Sequence, residues 1–267
     1  MPFDLDAYLA RIGHRGPVAH TVATLEALHE AHAAAIPFEN IDVLMGRSLD
    51  LSLDGVADKL VVRHRGGYCY EHALLLHGAF AAMGFRATLL AARVRMGYAA
   101  PRPRTHALLA VEAKGRRWIA DAGFGLLGLL VPLPLVEGAR VDPPLASFRL
   151  GREGRDWLMQ ARLKGEEWQD LYAFSEEPQA PVDYVMANHF TSTWPDSPFI
   201  RSLVAARVTR DSRTVLIDRN LTTTTMAGTE TRTLADADDL GRTLEQVFRL
   251  EEGSSEALAE KVFASAP

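Results

Sequence analysis

The apolar residues of this chain change period near Arg86, and that change limits what it can fold into. Before it, Leu5, Tyr8, Leu9 and Ile12 recur at helical spacing behind Asp4 and stop at Gly13, and Val22, Leu25 and Leu28 recur behind Thr21. Ser52 is placed to cap a third helix carrying Leu53, Val56 and Leu60. A fourth begins near Cys69 and runs through Leu76 and Phe80 to a stop at Gly84. After Arg86 the apolar positions alternate, as strands require, over 88–96, 106–113, 118–120, 157–163 and 168–174. The first third is therefore expected to be helical and the middle a barrel or curled sheet, an α+β (mixed) fold. A Pro-rich stretch at 132–144 reads as a long surface excursion and 176–181 as a linker. Strands follow at 203–209, 214–218, 221–226 and 229–234, then two helices, one with Leu240, Leu244, Val247 and Phe248, the other with Leu258 and Val262. The expected units are 1–85, 86–180 and 181–267. At 267 residues, 48% of them apolar, the chain can bury one large core or two to three smaller ones.

A net charge of −5 argues against a nucleic-acid partner. One cysteine excludes an intramolecular disulfide and fits a reducing compartment. The first six residues carry acids where a signal peptide needs bases. The longest apolar stretch, 119–136, is interrupted by Asp121, several glycines, Pro132 and Pro134, so it makes a poor membrane span. A cytoplasmic protein with no membrane partner is expected.

That one cysteine, Cys69, stands in Arg65-Gly66-Gly67-Tyr68-Cys69-Tyr70-Glu71, two glycines before it and helix formers after it. The free N–H groups of a first helical turn stabilise a thiolate, so a cysteine there is a better nucleophile than one mid-core. Two later segments supply partners: Thr105-His106 and Asp121-Ala122-Gly123-Phe124-Gly125. An imidazole can take the thiol proton, and a buried carboxylate can fix the imidazole's tautomer and stabilise its charge. Residues 106–113 read as a strand, Lys114-Gly115 as a turn and 117–120 as the returning strand, a hairpin that brings Asp121 back beside His106. The run from Phe124 to Leu130 has glycines that would let backbone N–H groups approach a phosphate; a tight bend between strands explains them equally well.

These segments, with Pro37-Phe38-Glu39-Asn40 and the stretch NHFTSTWPDSPF at 188–199, resemble those of the arylamine N-acetyltransferases in order and spacing. The resemblance implies that Cys69 takes an acetyl group from acetyl-coenzyme A as a thioester, with His106 activating it and Asp121 orienting His106. An arylamine, arylhydrazine or N-hydroxyarylamine then receives the acetyl group, with no metal involved. It implies a helical bundle, a β-barrel and an α/β lid around a core like that of papain and the transglutaminases, in a monomer or homodimer. Glu39 and Arg65 match a charged pair bracing the active-site loop. Phe38, Phe124 and Phe199 match aromatic positions of the acceptor and coenzyme pocket, to which Val94, Thr105 and Gly125 are also assigned. The chain departs from the family in having Ala73, preceded by His72, where relatives usually carry Asn.

Two alternatives stay open. The same triad could serve an amide synthase, a crosslinking enzyme or a hydrolase of amides or thioesters. A metal-binding module could use His64, Cys69, His72 and His77, since Cys69 and His72 lie one helical turn apart, although no second cysteine pair is present. Otherwise His72, His77, His29 and His32 are expected at the surface or along a groove.

Overall fold

The computed structural model describes residues 3–98, 100–250 and 256–264. Helix α1 (Leu5–Ile12) starts where the Asp4 side chain accepts the Ala7 N–H and ends at Gly13, whose φ of 69° permits the left-handed cap. Thr21 caps α2 (Val22–Ala35) in the same way. The short strand β1 (Phe38–Glu39) and helix α3 (Ile41–Leu44) follow. Ser52 caps α4 (Leu53–Ala57), and the chain then widens into a π-helical turn, Asp58–Val62, that carries Leu60. Helix α5 (Cys69–Ala82) has Cys69 as its first residue.

An eight-stranded antiparallel sheet comes next: β2 (Arg86–Val94), β3 (Arg104–Ala113), β4 (Arg116–Ala120), β5 (Leu133–Pro134), β6 (Arg140–Val141), β7 (Ala146–Glu153), β8 (Asp156–Leu163) and β9 (Gln169–Phe174). Their spatial order is β5-β4-β3-β2-β9-β8-β7-β6. The edge strand β5 also meets β6 and β7, so the sheet is nearly closed into a barrel. The 132–144 stretch is therefore not the plain surface excursion its prolines suggest. Its two short strands bring the sheet edges together, and Leu133 is fully buried.

Helix α6 (Pro181–Thr193) has no counterpart in the sequence reading, and neither has β7. Beyond α6, the strands β10 (Val204–Val208), β11 (Ser212–Ile217), β12 (Asn220–Thr225) and β13 (Gly228–Thr233) form a second antiparallel sheet. Its other edge is β1, in register Phe38↔Ala206, so the first third of the chain supplies a strand to the last. Helices α7 (Ala237–Gln246) and α8 (Glu256–Ala264) pack on this sheet.

Three large apolar clusters result, with a small fourth at Ala33, Leu130 and Val208. Leu25, Leu28, Leu75 and Phe80 hold the helices together, and Leu109 and Val111 of β3 join them. Leu108 and Ala110, on the opposite face of β3, point into the barrel with Phe148, Met159 and Phe174. Leu203, Leu216, Leu240 and Phe248 form the third. Alternation thus gives β3 two buried faces, one against α5 and one inside the barrel. Among the described residues no helix is long and apolar enough to cross a membrane.

Candidate active site

The segment before Cys69 is stitched to β1. The Glu39 N–H donates to the Gly67 carbonyl at 2.8 Å, and the Gly67 N–H to the Pro37 carbonyl at 3.3 Å. Both glycines are required by space: a Cβ on Gly66 would lie 2.4 Å from the Pro37 oxygen, and one on Gly67 2.7 Å from a Glu71 carboxylate oxygen. Glu71 in turn accepts the Tyr68 N–H at 3.0 Å, tying the loop to the first turn of α5.

Beneath this loop lies a buried charge cluster. Arg65 Nη2 meets Glu39 Oε1 at 2.8 Å and Asp42 Oδ2 at 3.3 Å; Lys59 Nζ meets Glu71 Oε1 at 2.7 Å and Asp42 Oδ2 at 2.8 Å. Burial alone would raise the Asp42 pKa, but Lys59, Arg65 and Arg47 bring it down to about 2. For Glu71 burial outweighs Lys59 and holds the carboxyl above its ordinary value. Lys59 is shared by three carboxylates, so Lys59→Met is expected to lower stability by about 3–5 kcal/mol, the usual cost of leaving buried charge unpaired, measurable by urea unfolding. A loss below 1 kcal/mol would show that the carboxylates share protons instead.

Across the loop, the hairpin forms as expected: Lys114 and Gly115, at φ 50° and 72°, make a two-residue turn, and β4 ends at Ala120 opposite Leu109. His106 Nε2 donates to Asp121 Oδ2 at 2.8 Å, and the other Asp121 oxygen accepts the Gly123 N–H at 3.2 Å. Nδ1 is left for the Cys69 thiol, the second hydrogen-bond partner of the ring. The thiol also faces the Thr105 carbonyl at 3.7 Å. All three residues are buried, at 5%, 4% and 2% exposure for Cys69, His106 and Asp121, which keeps bulk water from the group of charges. Phe124 meets the imidazole edge to face at 4.9 Å, and Tyr172 leans on it at the same distance. The Tyr172 hydroxyl lies against Asp121, short of a well-formed hydrogen bond.

Burial taken alone would lower the His106 pKa, but the charge and hydrogen bond of Asp121, with a smaller contribution from Cys69, push it up to about 10. The same pairing holds Asp121 below its usual value despite its burial. Because the folded value lies above the unfolded one, the His106 contribution to stability is full below about pH 6.5 and is lost as pH rises through about 10, while that of Asp121, held low, is full above its ordinary value of 3.8 and is lost as pH falls below it. A ring-nitrogen NMR titration should accordingly place the His106 midpoint near pH 10; a midpoint below 7 would mean that burial prevails.

Cys69 and His106 line a mainly apolar cavity of about 360 Å³, and Asp121 lies behind His106, outside the lining. Phe38, Val94, Thr105, Phe124 and Phe199 all line it. Gly125 does not: with φ at 76° it lies behind Phe38, where a Cβ would come 3.1 Å from the ring, so close packing explains it. Unforeseen wall residues are Phe190 and Trp194 of the α6 region, stacked at 5.2 Å and 17°, and Arg102, whose guanidinium sits 4.0 Å over the Tyr98 ring. The aromatic pair at i and i+4 was a usable signal once the segment was taken as a helix.

Residues 21–256 match a family model described as N-acetyltransferase. The chain is 37% identical to an arylamine N-acetyltransferase of Mycobacterium tuberculosis, over all of this chain and 98% of that protein. It belongs to the arylamine N-acetyltransferase family. It is also 40% identical to the arylamine N-acetyltransferase of Escherichia coli K12, over 76% of this chain and 72% of that one. The solved structure of arylamine N-acetyltransferase from M. tuberculosis superimposes with a TM-score of 0.92 at 37% identity, covering 97% of this chain and 99% of the other. That of Mycobacterium marinum arylamine N-acetyltransferase in complex with CoA gives 0.91 at 38%, over 97% and 98%. The chain is thus an acyltransferase by family.

In this member of the family the interior histidines are the main correction to the sequence reading. His29, His32 and His72, expected at the surface or along a groove, are fully buried. The Tyr8 hydroxyl, His32 Nδ1 and Nε2, His72 Nδ1 and Nε2 and the Pro37 carbonyl follow one another at 3.0, 2.9 and 3.3 Å. Pro37 offers only an acceptor there, so the direction of the whole chain is set: each imidazole donates from Nε2 and accepts at Nδ1. Burial depresses the His72 pKa to about 4 and drives that of His32 well down, so both rings are neutral. His72 therefore has neither nitrogen free to take over the part of an Asn at position 73, and Ala73 is packed in the helical core. Among the described residues no three His, Cys, Asp or Glu side chains converge as a metal site would need.

Proposed function

We propose that this protein transfers the acetyl group of acetyl-coenzyme A to arylamines, arylhydrazines or N-hydroxyarylamines by a two-step, ping-pong route through a thioester on Cys69. The observation that carries this is the meeting of Cys69 and His106 in the wall of an apolar cavity, with Asp121 hydrogen-bonded behind His106. The family membership and a CoA-bound structural neighbour support the donor.

In the first step the Cys69 sulfur attacks the thioester carbonyl, its proton being held by His106. The first turn of a helix has N–H groups without intrahelical acceptors, and those of α5 adjoin the sulfur, where they stabilise the tetrahedral oxyanion. The C–S bond to coenzyme A breaks, and His106 returns the proton to the leaving thiolate. In the second step the amine attacks the acetyl–Cys69 carbonyl. His106 takes a proton from the amine as the C–S bond to Cys69 breaks and the sulfur leaves as thiolate, which restores the free enzyme with its proton on His106. Asp121 keeps the imidazole oriented throughout. The apolar walls limit hydrolysis of the thioester between the two steps.

The same reading makes α5 and the barrel the papain-like core, with the region after α6 as its lid. Phe199, Val204 and Ile217 line the cavity from that side, which supports it. The sites and unit boundaries are part of this proposal: Cys69, His106 and Asp121 catalytic, Glu39 and Arg65 bracing the loop, and units at 1–85, 86–180 and 181–267.

Intact-mass measurement after incubation with acetyl-coenzyme A alone, then with an arylamine such as aminosalicylate, tests it. One acetyl group on Cys69 that disappears when amine is added is expected. No adduct with any acyl-coenzyme A would overturn the thioester route, and an adduct lost at the same rate without amine would identify a hydrolase.

A further inference from the structure

We infer that His29 is a positioning residue for acyl transfer: it clasps residues 121 and 130 of the loop between β4 and β5 and so holds Asp121 in place against His106. This rests on the roles proposed above for Cys69, His106 and Asp121.

His29 lies on α2, is fully buried and does not line the cavity. Its Nε2 accepts the backbone N–H of Asp121 at 2.9 Å, and its Nδ1 lies 3.1 Å from the carbonyl of Leu130. The backbone partners dictate the tautomer. A peptide N–H only donates and a carbonyl only accepts, so Nε2 carries the lone pair and Nδ1 the proton. Burial lowers the His29 pKa against the opposing effects of Leu130, Asp121 and Glu30, in keeping with the neutral ring that this arrangement needs.

One imidazole thus joins the first and tenth residues of the stretch 121–132, which runs without helix or strand from β4 to β5. From the other side the buried Arg213 donates to the carbonyls of Leu126 at 3.0 Å and Gly128 at 3.3 Å, holding the middle of the same loop. The stretch supplies both the carboxylate and one of the rings that orient His106. Asp121 is its hydrogen-bond acceptor, Phe124 packs on its ring, and Gly123 approaches so closely that a Cβ there would lie 3.0 Å from the Cys69 Cα. Three glycines, 123, 125 and 128, give the loop a permissive backbone, so its shape is imposed from outside. His29 fixes the point where that shape starts, at the main chain of Asp121 itself.

The test compares His29→Leu with His29→Gln, whose amide carries a donor and an acceptor side by side as the imidazole does. Single-turnover formation of acetyl-Cys69, the KM for acetyl-coenzyme A and the NMR titration of His106 are the readouts. In His29→Leu acylation should slow by about tenfold or more, since displacement by about 1 Å at such a site costs up to a hundredfold, while KM stays within about twofold. The His106 midpoint should fall as its carboxylate drifts, and His29→Gln should return rate and midpoint toward wild type. Either quantity unchanged in His29→Leu overturns the inference and leaves His29 as a packing residue. Should His29→Leu not fold, ring-nitrogen shifts of the wild type decide: an unprotonated Nε2 coupled to the Asp121 amide supports the clamp, and an Nε2–H tautomer overturns it. If the wild type forms no acetyl adduct, the thioester reading fails, and the His106 midpoint alone judges the clamp.

Discussion

Cys69→Ala is expected to abolish acetyl transfer while leaving the fold in place. The chain has no other cysteine to take over, and among the described residues the thiol's polar contacts are those to His106 and the Thr105 carbonyl. Alanine keeps the Cβ and the helix start, so the stability change should stay near 1 kcal/mol, the centre of the range for point mutants. Removing the nucleophile from a cooperating triad costs about a millionfold in turnover. Steady-state assay with acetyl-coenzyme A and an arylamine, with mass spectrometry for the missing adduct, checks both statements. Turnover within tenfold of wild type would end the thioester mechanism.

Asp121→Asn comes second in size, with a loss of about a hundredfold to ten-thousandfold expected at neutral pH. The carboxylate accepts twice, from His106 Nε2 at one oxygen and from the Gly123 N–H at the other. An amide has a single oxygen, so one of these bonds must break and an NH₂ must face a donor. The charge that keeps His106 protonated in spite of its burial also disappears, and desolvation then favours the neutral ring. Single-turnover acylation across pH 5 to 10 reads the change. Wild type and variant with the same rate and profile would show that Asp121 does not orient His106.

Much of this architecture was legible in the residues. Asp4, Gly13, Thr21 and Ser52 mark the helix ends that they cap in the structure, because capping is local chemistry that a few adjacent residues specify. The Lys114-Gly115 turn and the alternation around it brought His106 and Asp121 together on paper for the same reason. Helix α6 was missed because Val182, Val185 and Met186 are exposed on it and only Tyr184 and Thr191 are buried, so no apolar stripe signals a helix. Strands β5 and β6 have two residues each, too few for any period. The histidines failed for a different cause. Pattern reading treats an imidazole as polar and outward, and what draws His29 and His72 inward are acceptors and donors from distant segments: the Leu130 carbonyl lies 101 residues from His29, and the Pro37 carbonyl 35 from His72.

The pairing of Phe38 with Ala206 sets the order in which the site can be assembled. Asn40 donates to the carbonyls of Phe199 and Ser202 and accepts the Val204 N–H, so the segment that carries the loop before Cys69 is completed only by residues near position 200. At the usual pace of translation those residues emerge on the order of ten seconds after Cys69 does. Through that interval the proposed nucleophile belongs to an unfinished cavity, with one edge of β1 unpaired. Contacts so far apart in sequence form late, after most of the loop-closure entropy has been lost. Reactivity of the thiol is thereby a property of the finished chain, and a product truncated before β10 would carry Cys69 without the wall that gives it a substrate.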